Sequence, residues 1–522
     1  MAGGKSKPVI RRLGPFERLM CARNVLDTYI GTGVSCRYTV PATLVGPSAV
    51  EGLQQAFEQA VALTALEHPL MQAGLANEKS NKPAWTHLES IDLGHHITWV
   101  TSPAGEDYEG FLRSSARDLN DIQFVDSATR PGWRIVVTRP DDESPFIDVL
   151  FNWNHPYFDG TGGKIFHQTL LRVLNEQLSM GATAVPQLND HILTTTTKPK
   201  DKLFIPPVEK LTPASATLPY MAKTIAHELS PAWLSKPDPA DSSWAPTRLP
   251  AGVKYETIMR GFFIEPSALA SILARCRARK TTLTALLHGI SFVSLIPALQ
   301  KRNIDVPATA SETAISLRRF AKDAGKKTKK NPTGVDPEKS MVCCVSVFNH
   351  RFGETLTQDV KSASAKTGQD DASDAQRMAA LENLLWAATD VAMGGINDRL
   401  RMGMKNEIMG LLGYGGDLQD YFKLLMKKPR HFAWLITNIG VIDGEPAASG
   451  DKPPQSVWGI QKARFTLSAD ITGPAYEVST ISVKGGELSV HVSWPRGMAD
   501  DTIGDDLTVD LEKWLLFLAG TQ

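Results

Sequence analysis

Cysteine is scarce in this chain. The five present among 522 residues (Cys21, Cys36, Cys276, Cys343 and Cys344) are odd in number and lack the paired spacing of a disulfide framework or a zinc site, so a reducing compartment is expected. Net charge is missing too. Lys plus Arg and Asp plus Glu both number 56, which leaves no long-range field to draw in nucleic acid. No apolar run is long enough to span a bilayer core of about 30 Å. The longest, Leu283 to Ile296, is interrupted by His288 and Gly289 and ended by Pro297, and it reads as a buried helix. The start, Met1 to Arg12, is basic and Gly-rich without the apolar centre of a signal peptide, so a cytoplasmic protein is expected. His95-His96 has no carboxylate or Cys at ligand spacing, and no metal site is expected there.

What is present describes an ordinary globular chain: 42% hydrophobic and 21% charged residues. The length exceeds the roughly 250 to 300 residues at which one core stops growing, so two domains with a cleft between them are expected. Ser48 to Glu67 carries capping-box spacing and then Leu53, Phe57, Ala60 and Val61 at helical intervals. Pro266 opens a second amphipathic helix through Leu269, Ile272 and Cys276, closed by Arg275, Arg277, Arg279 and Lys280. Both helices start with Pro-Ser-Ala after a strand-like run (Cys36 to Leu44, Ile258 to Ile264), which suggests two halves built alike. Alternating apolar runs at Phe146 to Trp153, Met341 to Phe348, Ala433 to Ile436, Tyr476 to Val483 and Leu488 to Trp494 read as strands. The fold class is therefore α/β. A Thr- and Pro-rich stretch places domains at 1–195 and 251–522, with a crossover linker at 196–250.

One segment carries chemistry: Asn154-His155-Pro156-Tyr157-Phe158-Asp159-Gly160. It follows the strand run from Phe146 and precedes Gly162-Gly163 and a helical pattern of Phe166, Leu170, Val173 and Leu174, so His155 sits on a strand-to-helix turn. Loops anchored on rigid elements are where reactive groups tend to stand, and glycines there permit close approach. With twelve histidines and ordinary Asp and Gly frequencies of about 5% and 7%, a chance H-x-x-x-D-G is expected about 0.04 times. The plainer alternative is a satisfied turn histidine, with Asp159 only capping the helix.

With that segment the chain resembles the superfamily of CoA-dependent acyltransferases that carry H-x-x-x-D-G, and within it the fungal alcohol acetyltransferase family. The resemblance extends to Arg12-Leu13-Gly14-Pro15-Phe16-Glu17, Thr437-Asn438-Ile439-Gly440 and Gly485-Gly486-Glu487-Leu488. The D-F-G-W-G motif of plant BAHD enzymes is missing between Ala463 and Pro495, and Asn154 stands where many condensation domains have a second His. The resemblance implies two chloramphenicol-acetyltransferase-like α/β domains with a tunnel at their interface. It implies an acyltransferase that moves an acyl group from acyl-CoA to the hydroxyl of a small-molecule acceptor, such as a secondary metabolite, with His155 as general base. A carrier-protein donor is the alternative, as is another use of the same pocket.

The resemblance further implies that Asp159 turns away from the substrate and pairs with an arginine; Arg318 or Arg319 is the candidate. Gly160 serves backbone geometry. Asn438 is the candidate oxyanion donor. Acyl-CoA is a co-substrate, with no tightly bound cofactor expected. Lys326 and Lys327, in a Lys- and Gly-rich loop, could meet its 3′-phosphate, although such charge runs are usually solvated loops. A monomer is expected. Val9 to Leu26 mixes arginines with apolar residues, and relatives of this kind often meet endoplasmic reticulum or lipid droplets, which leaves room for peripheral membrane contact.

Overall fold

The structure, a computed structural model, describes residues 8–180, 185–196, 204–229, 243–249, 255–321, 323–329, 331, 333–367, 373–413, 416–445 and 456–520. Residues 197–203, 230–242 and 250 of the expected linker, Lys330 of the lysine loop and the first seven residues lie outside that set.

The run Phe146–Trp153 is nearly all apolar because it is covered on both faces. Ile147, Val149, Phe151 and Trp153 point into the larger core, where Phe166 of helix Gly160–Met180 stacks on Phe151 with ring centroids 3.9 Å apart. Leu150 faces Leu112, Ala116 and Leu119 of helix Tyr108–Asp121 on the other side. The polar residues of that face find partners: Asp148 accepts from Arg37 at 3.0 Å, and Asn152 donates to Asn120 at 2.7 Å. This strand is the middle one of five, in the order Gly459–Leu467, Thr32–Thr39, Phe146–Trp153, Trp133–Arg139, Ile97–Thr101.

The outermost of these, Gly459–Leu467, comes from the far half of the sequence. It pairs antiparallel with Thr32–Thr39 from Gly459 opposite Thr39 to Leu467 opposite Thr32. Without it Thr32–Thr39 would present an unpaired edge. The segment expected to belong wholly to the second domain therefore completes the sheet of the first.

A second, seven-stranded sheet runs Ser243–Trp244, Ala308–Ser316, Trp434–Ile442, Tyr476–Val483, Leu488–Pro495, Thr257–Ile264, with Val345–Phe352 also on Ala308–Ser316. Helices Pro266–Ala278, Leu283–Lys301, Asp374–Met402 and Thr502–Ala519 bury Ile272, Phe292, Leu385 and Trp514 with it in a separate core. Trp514, Leu515 and Leu518 thus close this half of the molecule.

Several expectations shift in detail. The apolar helix does not stop at Pro297: it runs Leu283–Lys301 with Pro297 inside, long and apolar enough to cross a membrane, yet every side chain from Ala285 to Leu299 is buried in protein. Packing on all sides outweighs the hydrogen bond that Pro297 cannot donate. Helix Val50–Glu67 begins after a 3-10 turn, Pro47–Ala49, and has no side-chain cap, so Ser48 does not form a capping box. The strand expected at Met341 to Phe348 is Val345–Phe352, because residues 341–344 are drawn to the site described next. His95 and His96 separate: His95 lies near Asp92 on an exposed turn, whereas His96 is buried with Nδ1 on the Trp133 carbonyl at 2.8 Å.

Candidate active site

The turn after Phe146–Trp153 is held by its own polar groups. The Trp153 indole donates to the Phe158 carbonyl at 2.7 Å, Asn154 N–H to Gly132 at 2.8 Å, and the Tyr157 hydroxyl to Ala73 at 3.2 Å. Asp159 then caps the helix that follows, its Oδ1 accepting the Gly162 N–H at 2.8 Å. These bonds fix His155 between the end of a central strand and the start of a long helix.

The Asp159 carboxylate is fully engaged. Arg318 donates Nη1 to Oδ2 at 2.5 Å and Nη2 to Oδ1 at 2.9 Å, and the Cys344 N–H donates to Oδ2 at 2.8 Å. Arg318 also donates to the carbonyls of Pro337 and Val342, both at 2.9 Å. With the Gly162 N–H, four donors fill this carboxylate, which leaves it a structural anchor rather than a proton carrier. Arg319, the other candidate, is exposed.

His155 is half-buried, its ring 5.7 Å from that of Tyr29. Burial pulls its pKa down to about 4, against its own backbone carbonyl and Asp159, which pull it up. The imidazole is therefore neutral near pH 7. Its Nδ1 lies 3.3 Å from the Cys343 sulfur. With the proton on Nδ1, where that sulfur can accept it, Nε2 keeps a lone pair. A neutral, oriented imidazole with one free lone pair can take a proton from a hydroxyl that approaches Nε2.

Gly160 is required by what surrounds it. A Cβ there would stand 2.7 Å from Ile439 Cγ2 and 2.7 Å from the Phe465 ring, both contributed by strands of the second half of the chain. The loop, strand Trp434–Ile442 and strand Gly459–Leu467 meet at this point. Lys164 reinforces the junction by donating to the Ile439 carbonyl at 2.9 Å.

Asn438 stands one residue before Ile439 on strand Trp434–Ile442. Its amide donates to Thr284 at 3.3 Å and accepts the Gly440 N–H at 2.8 Å, while the adjacent Ile439 is the residue facing the loop. Lys326 and Lys327 are exposed, without a carboxylate partner among the described residues. Cys343 and Tyr29, which do border His155, carry no signal in the sequence: neither lies in a motif, and the Met341 to Cys344 stretch reads as strand.

Similarity to known proteins covers this region. The model of the alcohol acetyltransferase family matches residues 115–336, a span that includes His155, Asp159 and Arg318. A probable alcohol acetyltransferase of Fusarium pseudograminearum is 25% identical over 521 residues, covering 98% of this chain and 95% of its own. The solved trichothecene 15-O-acetyltransferase from Fusarium sporotrichioides superposes with a TM-score of 0.67 at 13% identity, covering 97% of this chain and 94% of that one. A condensation domain of the calcium-dependent antibiotic synthetase has a TM-score of 0.55 at 11% identity, covering 98% of this chain and 96% of that one. The two-domain, chloramphenicol-acetyltransferase-like α/β fold is thus established, and the chain is an acyltransferase related to the fungal alcohol acetyltransferases.

Proposed function

We propose that this protein transfers an acyl group from acyl-CoA to the hydroxyl of a small-molecule alcohol, with His155 as the general base. The observation that carries the reading is the setting of His155: a neutral ring with Nδ1 against the Cys343 sulfur and no hydrogen-bond partner for Nε2 among the described residues, beside a carboxylate too fully bonded to compete for the proton. Nε2 takes the proton of the acceptor hydroxyl as its oxygen attacks the thioester carbonyl. The tetrahedral intermediate then collapses, the C–S bond breaks, and the imidazolium returns the proton to the leaving thiolate, so that ester and free thiol are the products. The names of the relatives support an alcohol acceptor and an acetyl donor.

The test is mass spectrometry of products from purified protein given acetyl-CoA and longer acyl-CoAs against pooled alcohols, with His155→Ala as control. Ester formation lost in His155→Ala is the expected outcome; near-normal turnover by that variant defeats the mechanism. Product from an acyl-loaded carrier protein, and none from free acyl-CoA, replaces the donor.

A further inference from the structure

We propose that Cys343 is a positioning residue of this acyl transfer, its sulfur holding the His155 imidazole with the proton on Nδ1 so that Nε2 stays free for the acceptor hydroxyl. The inference rests on His155 being the base. Two observations carry it. The sulfur lies 3.3 Å from Nδ1, within reach of a hydrogen bond to sulfur. And Cys343 is not loosely placed: Arg318 binds the carbonyl of Val342 before it, and Asp159 binds the amide of Cys344 after it.

The Asp159–Arg318 pair therefore reaches the base through Cys343. It clamps both neighbours of that residue and sets its side chain against the ring. Sulfur suits the task in two ways. A carboxylate at this distance would draw His155 toward its charged form and cost it the neutral imidazole that a base requires, whereas a thiol is a weak, uncharged acceptor. Burial pushes the Cys343 thiol well above its ordinary range, so it stays protonated and does not compete as a nucleophile. Because Cys343 belongs to the segment leading into Val345–Phe352, the base donated by one half of the chain is oriented by a residue of the other.

The experiment reads the tautomer directly in the full chain labelled with 15N-histidine. Long-range proton–nitrogen spectra distinguish Nδ1–H from Nε2–H, and the signals absent from His155→Ala assign the ring among the twelve histidines. The wild type should show Nδ1–H; Cys343→Ala and Cys343→Val, the second keeping the volume without an acceptor, should show a mixture, and Cys343→Ser should restore Nδ1–H. In turnover, Ala and Val should lower kcat by about fivefold with KM unchanged, as for loss of one hydrogen bond of about 1 kcal/mol, and Ser should recover most of it. A wild-type spectrum showing Nε2–H, or Ala and Val spectra like the wild type, overturns the proposal. So does recovery by Val but not Ser, which is packing alone. Full turnover by His155→Ala removes the base itself; loss of turnover there, with Cys343→Ala unaffected in spectrum and rate, removes only the role of Cys343.

Discussion

Asp159 and Arg318 stand 159 positions apart in the chain and meet as a two-pronged ion pair at 2.5 and 2.9 Å, sealed from water. Removing one partner leaves the other charge buried and unpaired, which costs about 3–5 kcal/mol. Arg318→Ala and Asp159→Ala should each lower the unfolding free energy by that order and abolish turnover. Arg318→Lys should do much of the same, since an ammonium cannot serve Asp159 bidentately and reach Pro337 and Val342 together. Arg319→Ala, on an exposed residue, should stay within about 0.5 kcal/mol. Chemical denaturation of the four variants decides the matter.

The burial of His155 sets a pH limit for turnover. With its pKa pulled down to about 4, kcat/KM should hold level as pH falls from 7.5 to near 5, with the acid limb beyond that. Initial rates over the first seconds, with samples returned to pH 7.5 to check for unfolding, give the profile. An acid limb centred at 6 to 7 contradicts a base held neutral by its surroundings.

Stability should follow pH more steeply than activity. Burial pulls His68, His96, His155, His167 and His350 to about 4, His491 to about 3 and His288 well below its ordinary value. Each binds a proton when unfolded at about pH 6.5 but not when folded, so stability is present above that pH and is lost as pH falls toward 4. Buried carboxyls pushed up, Glu209 to about 7 and Glu477 well above its ordinary range, work in the opposite direction but with fewer groups. The melting temperature should therefore drop continuously between pH 7 and pH 5. A flat response shows that these rings are hydrated in solution.

Gly160 gives a prediction about the junction of the two halves. Gly160→Ala pushes a methyl into Ile439 and the Phe465 ring, an overpacking that costs about 1–3 kcal/mol, and it should impair turnover by displacing the loop from the second half. Phe465→Leu combined with Gly160→Ala should recover part of the loss. A double-mutant cycle on thermal midpoints measures that coupling, and strict additivity argues against the contact.

Much of this architecture can be read from residue order. The strand Phe146–Trp153, the helix beginning at Gly160 and the turn between them follow from local apolar patterning and two glycines, so the placement of His155 is legible in the sequence. The choice between Arg318 and Arg319 is not: neighbours in sequence point to opposite surroundings, and only packing selects one. The local bonds of Asn438 are likewise unreadable in the sequence: its Oδ1 caps the turn at Gly440 and one of its two amide hydrogens goes to Thr284 on a distant helix. Cys343 and Tyr29 touch the base through contacts 188 and 126 positions away, a separation at which periodicity carries no information. The exchange of strand Gly459–Leu467 between halves is invisible for the same reason.

That exchanged strand also dictates an order of events during synthesis. Thr32–Thr39 emerges from the ribosome early, yet its outer partner is made more than 400 residues later, so at about 5–20 residues per second the edge waits for tens of seconds or more with its backbone groups open to other chains. Contacts of such long range also make for slow folding. A fragment ending at the expected linker would keep that edge for good, lacking the strand, Arg318 and the Cys343 segment alike. The working unit is the whole chain, and its first half becomes native only after nearly all of the second has been made.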